Sequence, residues 1–326
     1  MISARTKGHI EHFSTSGGCS TAVHVVRSES DASSVAPKTV FVMIPGNPGV
    51  VEYYSDFANA VFNAVKRSDS AANFDVISLS HPGHSFLDHG DSEVLSSWNK
   101  YFGTFPADNP LNLRQQMDHK ICLFDHIVSL YPAETRFILA GHSIGSYMAL
   151  EVLKARSDRI SQVVLLFPTI TEIAASKKGQ IASKITLPGV RHTVSAILFA
   201  LRPFLAFFPV VLYGLVALFT GMTGDPLTVT VERLLHHNSG LHALTLGAWE
   251  MKQVLDLDAE TISNNLDKLV LYYGPEDGWA DETYYRQIKE RFPGIKALLC
   301  EDGVTHDFVV GYSEIMARKV AQWLMR

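Results

Sequence analysis

Gly141-His142-Ser143-Ile144-Gly145 places a serine where a chain can expose its hydroxyl on a very tight turn. The preceding Phe137-Ile-Leu-Ala140 reads as a buried strand, and Ser146-Tyr-Met-Ala-Leu-Glu-Val-Leu-Lys154 as a helix. Where a strand turns straight into a helix, the residues two before and two after the serine approach one another. Neither has room for a Cβ, which explains both glycines. The new helix aims its free N–H groups and positive dipole end at the serine. The alternative is a glycine-rich strand–helix turn without chemical role.

A nucleophilic serine needs a base, and the base needs an orienting carboxylate. After such a turn they follow in the order Ser, Asp or Glu, His, each just beyond a later strand. Leu269–Tyr273 ends in Gly274-Pro-Glu-Asp277-Gly-Trp279, offering Asp277, with Glu276 and Asp281 as competitors. Ile295–Cys300 is followed by Glu301-Asp-Gly-Val-Thr-His306, offering His306; Asp302 and Asp307 read as turn or surface residues. An acyl-transfer site also needs two N–H donors for the oxyanion. Ile144 supplies one, as the residue after the nucleophile. The second comes from the loop after an earlier strand, here Pro45-Gly46-Asn47-Pro48-Gly49. Prolines have no N–H, so Gly46, Asn47 and Gly49 compete, and the backbone amide of Asn47 is the choice. A rigid Pro/Gly turn is the structural alternative.

These residues require a scaffold of buried strands. Thr39–Ile44, Phe74–Leu79, Arg136–Ala140, Gln162–Phe167, Lys268–Tyr273 and Ile295–Cys300 are short apolar runs without strict alternation, the pattern of strands covered on both faces. Helical periodicity marks Tyr53–Arg67, Leu113–Leu130, Tyr284–Arg291 and Ser313–Leu324. The alternation predicts βαβ crossovers and a mostly parallel sheet. The first 35 residues predict an edge hairpin turning at Gly17-Gly18. After Pro168 the rhythm stops. Residues 169–265 read as a helical insertion between a first core part (1–168) and a second (266–326).

Composition narrows the classes. The chain has 326 residues, 47% apolar and only 19% charged, with 28 Lys+Arg against 33 Asp+Glu for a net charge of −5. Such a chain supports a core and carries no basic nucleic-acid footprint. Cys19, Cys122 and Cys300 lack any C-x-x-C spacing, so neither a disulfide framework nor a zinc site is expected. Lys7, His9, Glu11 and His12 break any signal-peptide pattern and argue against export. No cofactor loop or metal motif is present, so no cofactor is expected.

Ile44-Pro-Gly-Asn-Pro-Gly49, Ser80-His-Pro-Gly-His84, Gly141-His-Ser-Ile-Gly-Ser146, Leu166-Phe-Pro-Thr-Ile170 and Tyr272-Tyr-Gly274 together resemble the lipid droplet-associated hydrolase family of the α/β-hydrolase superfamily. The match runs from about Thr39 to His306. The resemblance implies an α/β-hydrolase fold and a triad of Ser143, Asp277 and His306. It further implies residence on lipid droplets and the cytosolic face of the endoplasmic reticulum, with a role in neutral-lipid storage or turnover.

Val194–Phe219 concentrates the missing charge. It is long enough for a bilayer crossing of ~20 residues, but Arg202, Pro203 and Pro209 interrupt it. A mid-bilayer arginine adds at least ~2.5 kcal/mol, so a bent element dipping into one leaflet of a droplet monolayer or endoplasmic-reticulum membrane is expected, with Arg202 snorkelling. Lys177, Lys178, Lys184, Arg191 and His192 precede it. The alternative is a lid buried on the catalytic part. His81 and His84 read as turn residues near the site, with substrate contact or metal binding as the alternative; His236-His237 read as a surface pair, and Leu241–Val254 as an ordinary helix.

The first reading is a serine hydrolase of lipid esters such as sterol esters or acylglycerols. A droplet-surface protein with a vestigial site and a serine-dependent acyltransferase are the rivals. None of the 14 histidines begins an H-x4-D acyltransferase signature.

Overall fold

The computed structural model describes residues 8–14, 20–28, 38–84 and 110–324. Eight strands form one sheet: β1 (His9–Ser14), β2 (Ser20–Val26), β3 (Thr39–Ile44), β4 (Phe74–Leu79), β5 (Arg136–His142), β6 (Ile160–Leu166), β7 (Leu269–Tyr273) and β8 (Lys296–Leu299). Their spatial order is β1-β2-β4-β3-β5-β6-β7-β8. β2 runs antiparallel to both neighbours, and every other pairing is parallel. The expected edge hairpin is therefore present as β1–β2; its Gly17-Gly18 turn lies outside the described residues.

β3 shows why the strands read as apolar runs. Val40, Val42 and Ile44 enter one core, and Phe41 and Met43 the core on the opposite face. Successive side chains of a strand alternate faces, so two covered faces demand apolar residues at every position. Helices α1 (Ser55–Ser68) and α11 (Ser313–Leu324) cover one face through Val61, Val65, Met316 and Val320. Helices α2 (Leu113–Ser129) and α3 (Ile144–Arg156) cover the other through Leu123, Ile127, Met148 and Val152. The first turn of the expected Tyr53–Arg67 helix is a separate 3₁₀ turn, Val51–Tyr54.

Between β6 and β7 the regular elements are helical: α4 (Lys177–Ile185), α5 (Pro188–Phe207), α6 (Pro209–Thr220), α7 (Gly224–Val229), α8 (His237–Gln253) and α9 (Ala259–Ser263). After β7, α10 (Glu282–Arg291) leads into β8. Pro203 does not interrupt the apolar run, contrary to expectation, because α5 continues through it. The break falls at Phe208, before Pro209, which occupies the first helical position where no N–H is needed. The Arg202 side chain lies outside the described part. No single described helix is long and apolar enough to cross a membrane; α6 and the helical segment 224–234 are bent by 116° to one another.

The surface of α5 and α6 is unusual. Among the described residues, the large exposed apolar side chains other than Ile10, Leu130 and Leu255 all fall between Ile181 and Phe219. Nothing in α6 is buried. The alternative of a buried lid does not describe this helix. His236 and His237 correct a second expectation: they are buried rather than on the surface. Ser195 Oγ–H of α5 donates to the His237 carbonyl (3.2 Å), and Phe199 packs edge-on against the His237 ring, so α5 covers the start of α8.

Candidate active site

The tight turn at Ser143 has the predicted mechanical origin. Ser143 sits between β5 and α3 with φ 52° and ψ −125°, a conformation that L residues rarely adopt. A Cβ on Gly141 would run into the Gly145 carbonyl and Ser146 Cα, and one on Gly145 into the Ile44 and Pro45 carbonyls. Only glycine fits either position. The Ser143 N–H donates to the Leu166 carbonyl (3.0 Å), which ties the turn to the end of β6.

Loops after β7 and β8 bring the expected partners to this serine. Asp277 is buried, and its Oδ1 accepts from the Trp279 N–H (2.8 Å). Its Oδ2 lies 2.6 Å from His306 Nδ1, and His306 Nε2 lies 2.9 Å from Ser143 Oγ. A carboxylate can only accept, so Nδ1 carries the proton and Nε2 accepts the seryl O–H. The competing acids stand elsewhere. Glu276 is exposed, Asp281 caps α10 by accepting from Thr283 N–H (2.9 Å), Asp302 pairs with Lys319, and Asp307 is exposed.

The loop after β3 lies directly against the serine: a Cβ on Gly46 would come 3.0 Å from Ser143 Cβ. Its three candidate amides are sorted by their hydrogen bonds. Gly46 N–H donates to Tyr54 Oη (2.8 Å), and Gly49 N–H donates to the Gly46 carbonyl (2.7 Å). The Asn47 amide remains. Ile144 N–H is the first of α3, where helix geometry provides no intrahelical acceptor.

Sequence reading missed a buried relay that binds these pieces together. Tyr54 Oη accepts from Gly46, so its O–H donates to His142 Nδ1 (2.6 Å), and His142 Nε2–H donates to the His306 carbonyl (2.8 Å). The loop after β3 and the loop carrying His306 are thereby held by one chain of hydrogen bonds. Burial pushes the His142 imidazole well below its ordinary range, with the nearby His306 adding to the effect, and the relay needs it neutral. Only the position of His142 within Gly-His-Ser hinted at this; Tyr54 gave no signal.

His81 and His84 support the same loop. The His84 ring hydrogen-bonds the Pro48 carbonyl, and a Cβ on Gly49 (φ 71°) would strike the His81 ring. No described cluster of His, Cys, Asp and Glu is arranged to hold a metal ion.

These neutral histidines predict acid sensitivity. Burial lowers His84 to about 3, and His24 of β2 from the ordinary 6.5 to about 4. The unfolded chain takes up protons below about 6.5 while the native histidines resist, so their contribution to stability is full above that pH and is lost on acidification, partly offset by the raised carboxyl of Glu250. By pH 4 the His24 shift alone removes about 3 kcal/mol. Melting followed by differential scanning fluorimetry is expected to drop by roughly 10 °C between pH 7.5 and 4.5. A flat profile would contradict the burial argument.

The comparisons agree with the site's scaffold. The model of the family described as lipid-droplet associated hydrolase matches residues 37–309, from the start of β3 to just beyond His306. The lipid droplet-associated hydrolase of Mus musculus is 32% identical over 292 residues, covering 88% of this chain and 85% of that protein. That of Gallus gallus is 31% identical over 317 residues, covering 94% and 92%. Among solved structures, the haloalkane dehalogenase DbeA of Bradyrhizobium elkani superposes with a TM-score of 0.61 at 14% identity, over 98% of both chains. A membrane phospholipase A does so with 0.57 at 15% identity, over 98% of this chain and 86% of its own. The structures establish an α/β-hydrolase fold. The family match spans both halves of the sheet, the intervening helices and all five candidate site residues, and the chain therefore belongs to the lipid droplet-associated hydrolase family.

Proposed function

We propose that this hydrolase-family protein cleaves carboxylic esters of lipids with Ser143 as nucleophile, at the surface of lipid droplets. The observation that carries the reading is the unbroken hydrogen-bonded line from Asp277 through His306 to Ser143. His306 Nε2 takes the seryl proton as Oγ attacks the ester carbonyl, and Asp277 holds the imidazole in the required tautomer and stabilises its charge. The Asn47 and Ile144 amides stabilise the developing oxyanion. The tetrahedral intermediate expels the alcohol, which takes its proton from His306. Water deprotonated by His306 then releases the acyl group from Ser143. Sterol esters and acylglycerols are the substrate class this reading favours.

The apolar surface of α5 and α6 supports the droplet location. Val190, Val194, Ile197 and Leu201 form the outer stripe of α5, while Ser195, Leu198 and Phe199 face inward. An exposed apolar area of this kind marks an interaction surface. A monolayer over oil, or the cytosolic leaflet of the endoplasmic reticulum, accepts such a surface without being crossed. Exposed Lys177, Lys178 and Lys184 beside it suit anionic headgroups.

The direct test is a fluorophosphonate probe on the purified protein, followed by peptide mass mapping. The adduct is expected on Ser143. An unmodified Ser143 under conditions that label a control esterase would overturn the reading.

A further inference from the structure

The Asn47 side chain reaches into the helical segment. Its Nδ2 donates to the Ala243 carbonyl (2.9 Å) and to Glu250 Oε1 (2.9 Å). Ala243, Gly247 and Glu250 are spaced i, i+4, i+7 and form one stripe of α8. Asn47 Nδ2 packs against this stripe, 3.5 Å from where a Cβ on Gly247 would stand.

We infer that Glu250 is a positioning residue for ester hydrolysis, which fixes the oxyanion-hole amide of Asn47 by anchoring that residue's side chain to α8. The inference rests on the reading of Asn47 as an oxyanion donor. Three observations argue for it.

Glu250 is 4% exposed, and a carboxyl in such a place must be satisfied by a donor. The donor the structure supplies is Asn47, 203 residues earlier in the chain. Burial pushes the carboxyl up to about 7, opposed by the Asn47 hydrogen bond, and in either protonation state an oxygen remains to accept from Nδ2.

The second observation is the loop itself. Gly46 is fixed by Tyr54 and Pro48 by His84, which leaves the residue between them to be oriented by its own side chain. With both Nδ2 protons engaged, the amide plane of Asn47 is set by α8. A donor displaced by even 1 Å from the position of the oxyanion loses much of its effect, because the charge it stabilises develops at one point.

The third is chemical economy. Neither Ala243 nor Gly247 has a side chain that can replace the Glu250 contact, so removal of the carboxyl frees one of the two anchors. Glu250 touches no reacting atom, and acts through Asn47 alone.

The test uses the full-length protein and 4-nitrophenyl butyrate, a soluble ester that needs no lipid surface. Glu250→Leu is expected to lower kcat by 10- to 100-fold with KM within threefold of wild type. Glu250→Gln, which keeps an oxygen facing Nδ2, is expected to return kcat to within threefold. Asn47→Ala keeps the backbone amide but removes its anchors, and is expected to match Glu250→Leu. The double variant should then be no slower than either single one, since both remove the same link.

A second readout is independent of turnover. Hydrogen–deuterium exchange in the peptide spanning residues 44–50 is expected to quicken in Glu250→Leu and Asn47→Ala, but not in Glu250→Gln. Wild-type kcat in Glu250→Leu, or additive losses in the double variant, would overturn the inference while leaving Ser143 as nucleophile. Failure of wild-type protein to hydrolyse any ester or to label at Ser143 would instead strike the functional reading. In that event unchanged exchange in both variants would refute the anchoring as well.

Discussion

Replacing Ser143 with alanine is expected to lower ester hydrolysis by roughly 10⁴–10⁶-fold, to the residue of rate that oriented binding and the oxyanion donors provide without a nucleophile. The change removes one oxygen from a partly exposed position, and the strained backbone there is already accommodated by Gly141 and Gly145. Folding should therefore be preserved, which separates chemistry from stability. Asp277→Asn is expected to cost about 10⁴-fold, because an amide facing Nδ1 favours the tautomer in which Nε2 carries the proton and cannot accept one. The measurement is initial-rate hydrolysis of a soluble ester by active-site-titrated protein. Retention of more than a hundredth of the wild-type rate by Ser143→Ala would exclude it as the nucleophile.

What made this site legible in the sequence was local constraint. The Gly141 and Gly145 positions are dictated by backbone atoms a few residues away, so their identities appear as a short motif. Asp277 and His306 were legible for a related reason: each follows a buried strand, and strand ends at one edge of a parallel sheet must converge. The Pro45–Gly49 loop offered three amides as candidate oxyanion donors, and two of them, Gly46 and Gly49, donate to Tyr54 and to the Gly46 carbonyl.

What stayed hidden depends on elements distant in sequence. Tyr54, read only as part of an amphipathic helix, meets His142, which lies 88 positions later in the chain. Glu250 looked like one more polar residue of an ordinary helix, and its role requires Asn47 beside it. His236 and His237 seemed exposed because the reading had nothing to lay over them, whereas α5 does so. Pro203 misled for the opposite reason: proline disfavours a helix interior by roughly 3 kcal/mol, yet α5 tolerates it and the chain breaks at the next proline, where the break is free of that penalty.

The exposed apolar surface leads to the second large expected effect. Phe207, Val210, Leu218 and Phe219 are between 77% and 82% exposed, so replacing all four with serine removes little that holds the fold together. Each such side chain, if buried in acyl chains, contributes about 1.5–3 kcal/mol. Four lost together amount to at least ~6 kcal/mol, or roughly a 10⁴-fold weaker partition onto a lipid surface. The quadruple variant is thus expected to leave phospholipid-coated triolein droplets in a flotation assay while hydrolysing a soluble ester at the wild-type rate. Serine is preferred to aspartate because it removes apolar area without adding repulsion from anionic headgroups. Salt resolves the remaining ambiguity: attraction through Lys177, Lys178 and Lys184 weakens within a Debye length that shrinks to about 3 Å at 1 M, whereas insertion of apolar side chains does not. Wild-type flotation that persists in 1 M salt, together with its loss in the quadruple variant, would assign the docking to the apolar faces of α5 and α6; equal flotation of both proteins would remove those faces from the docking surface.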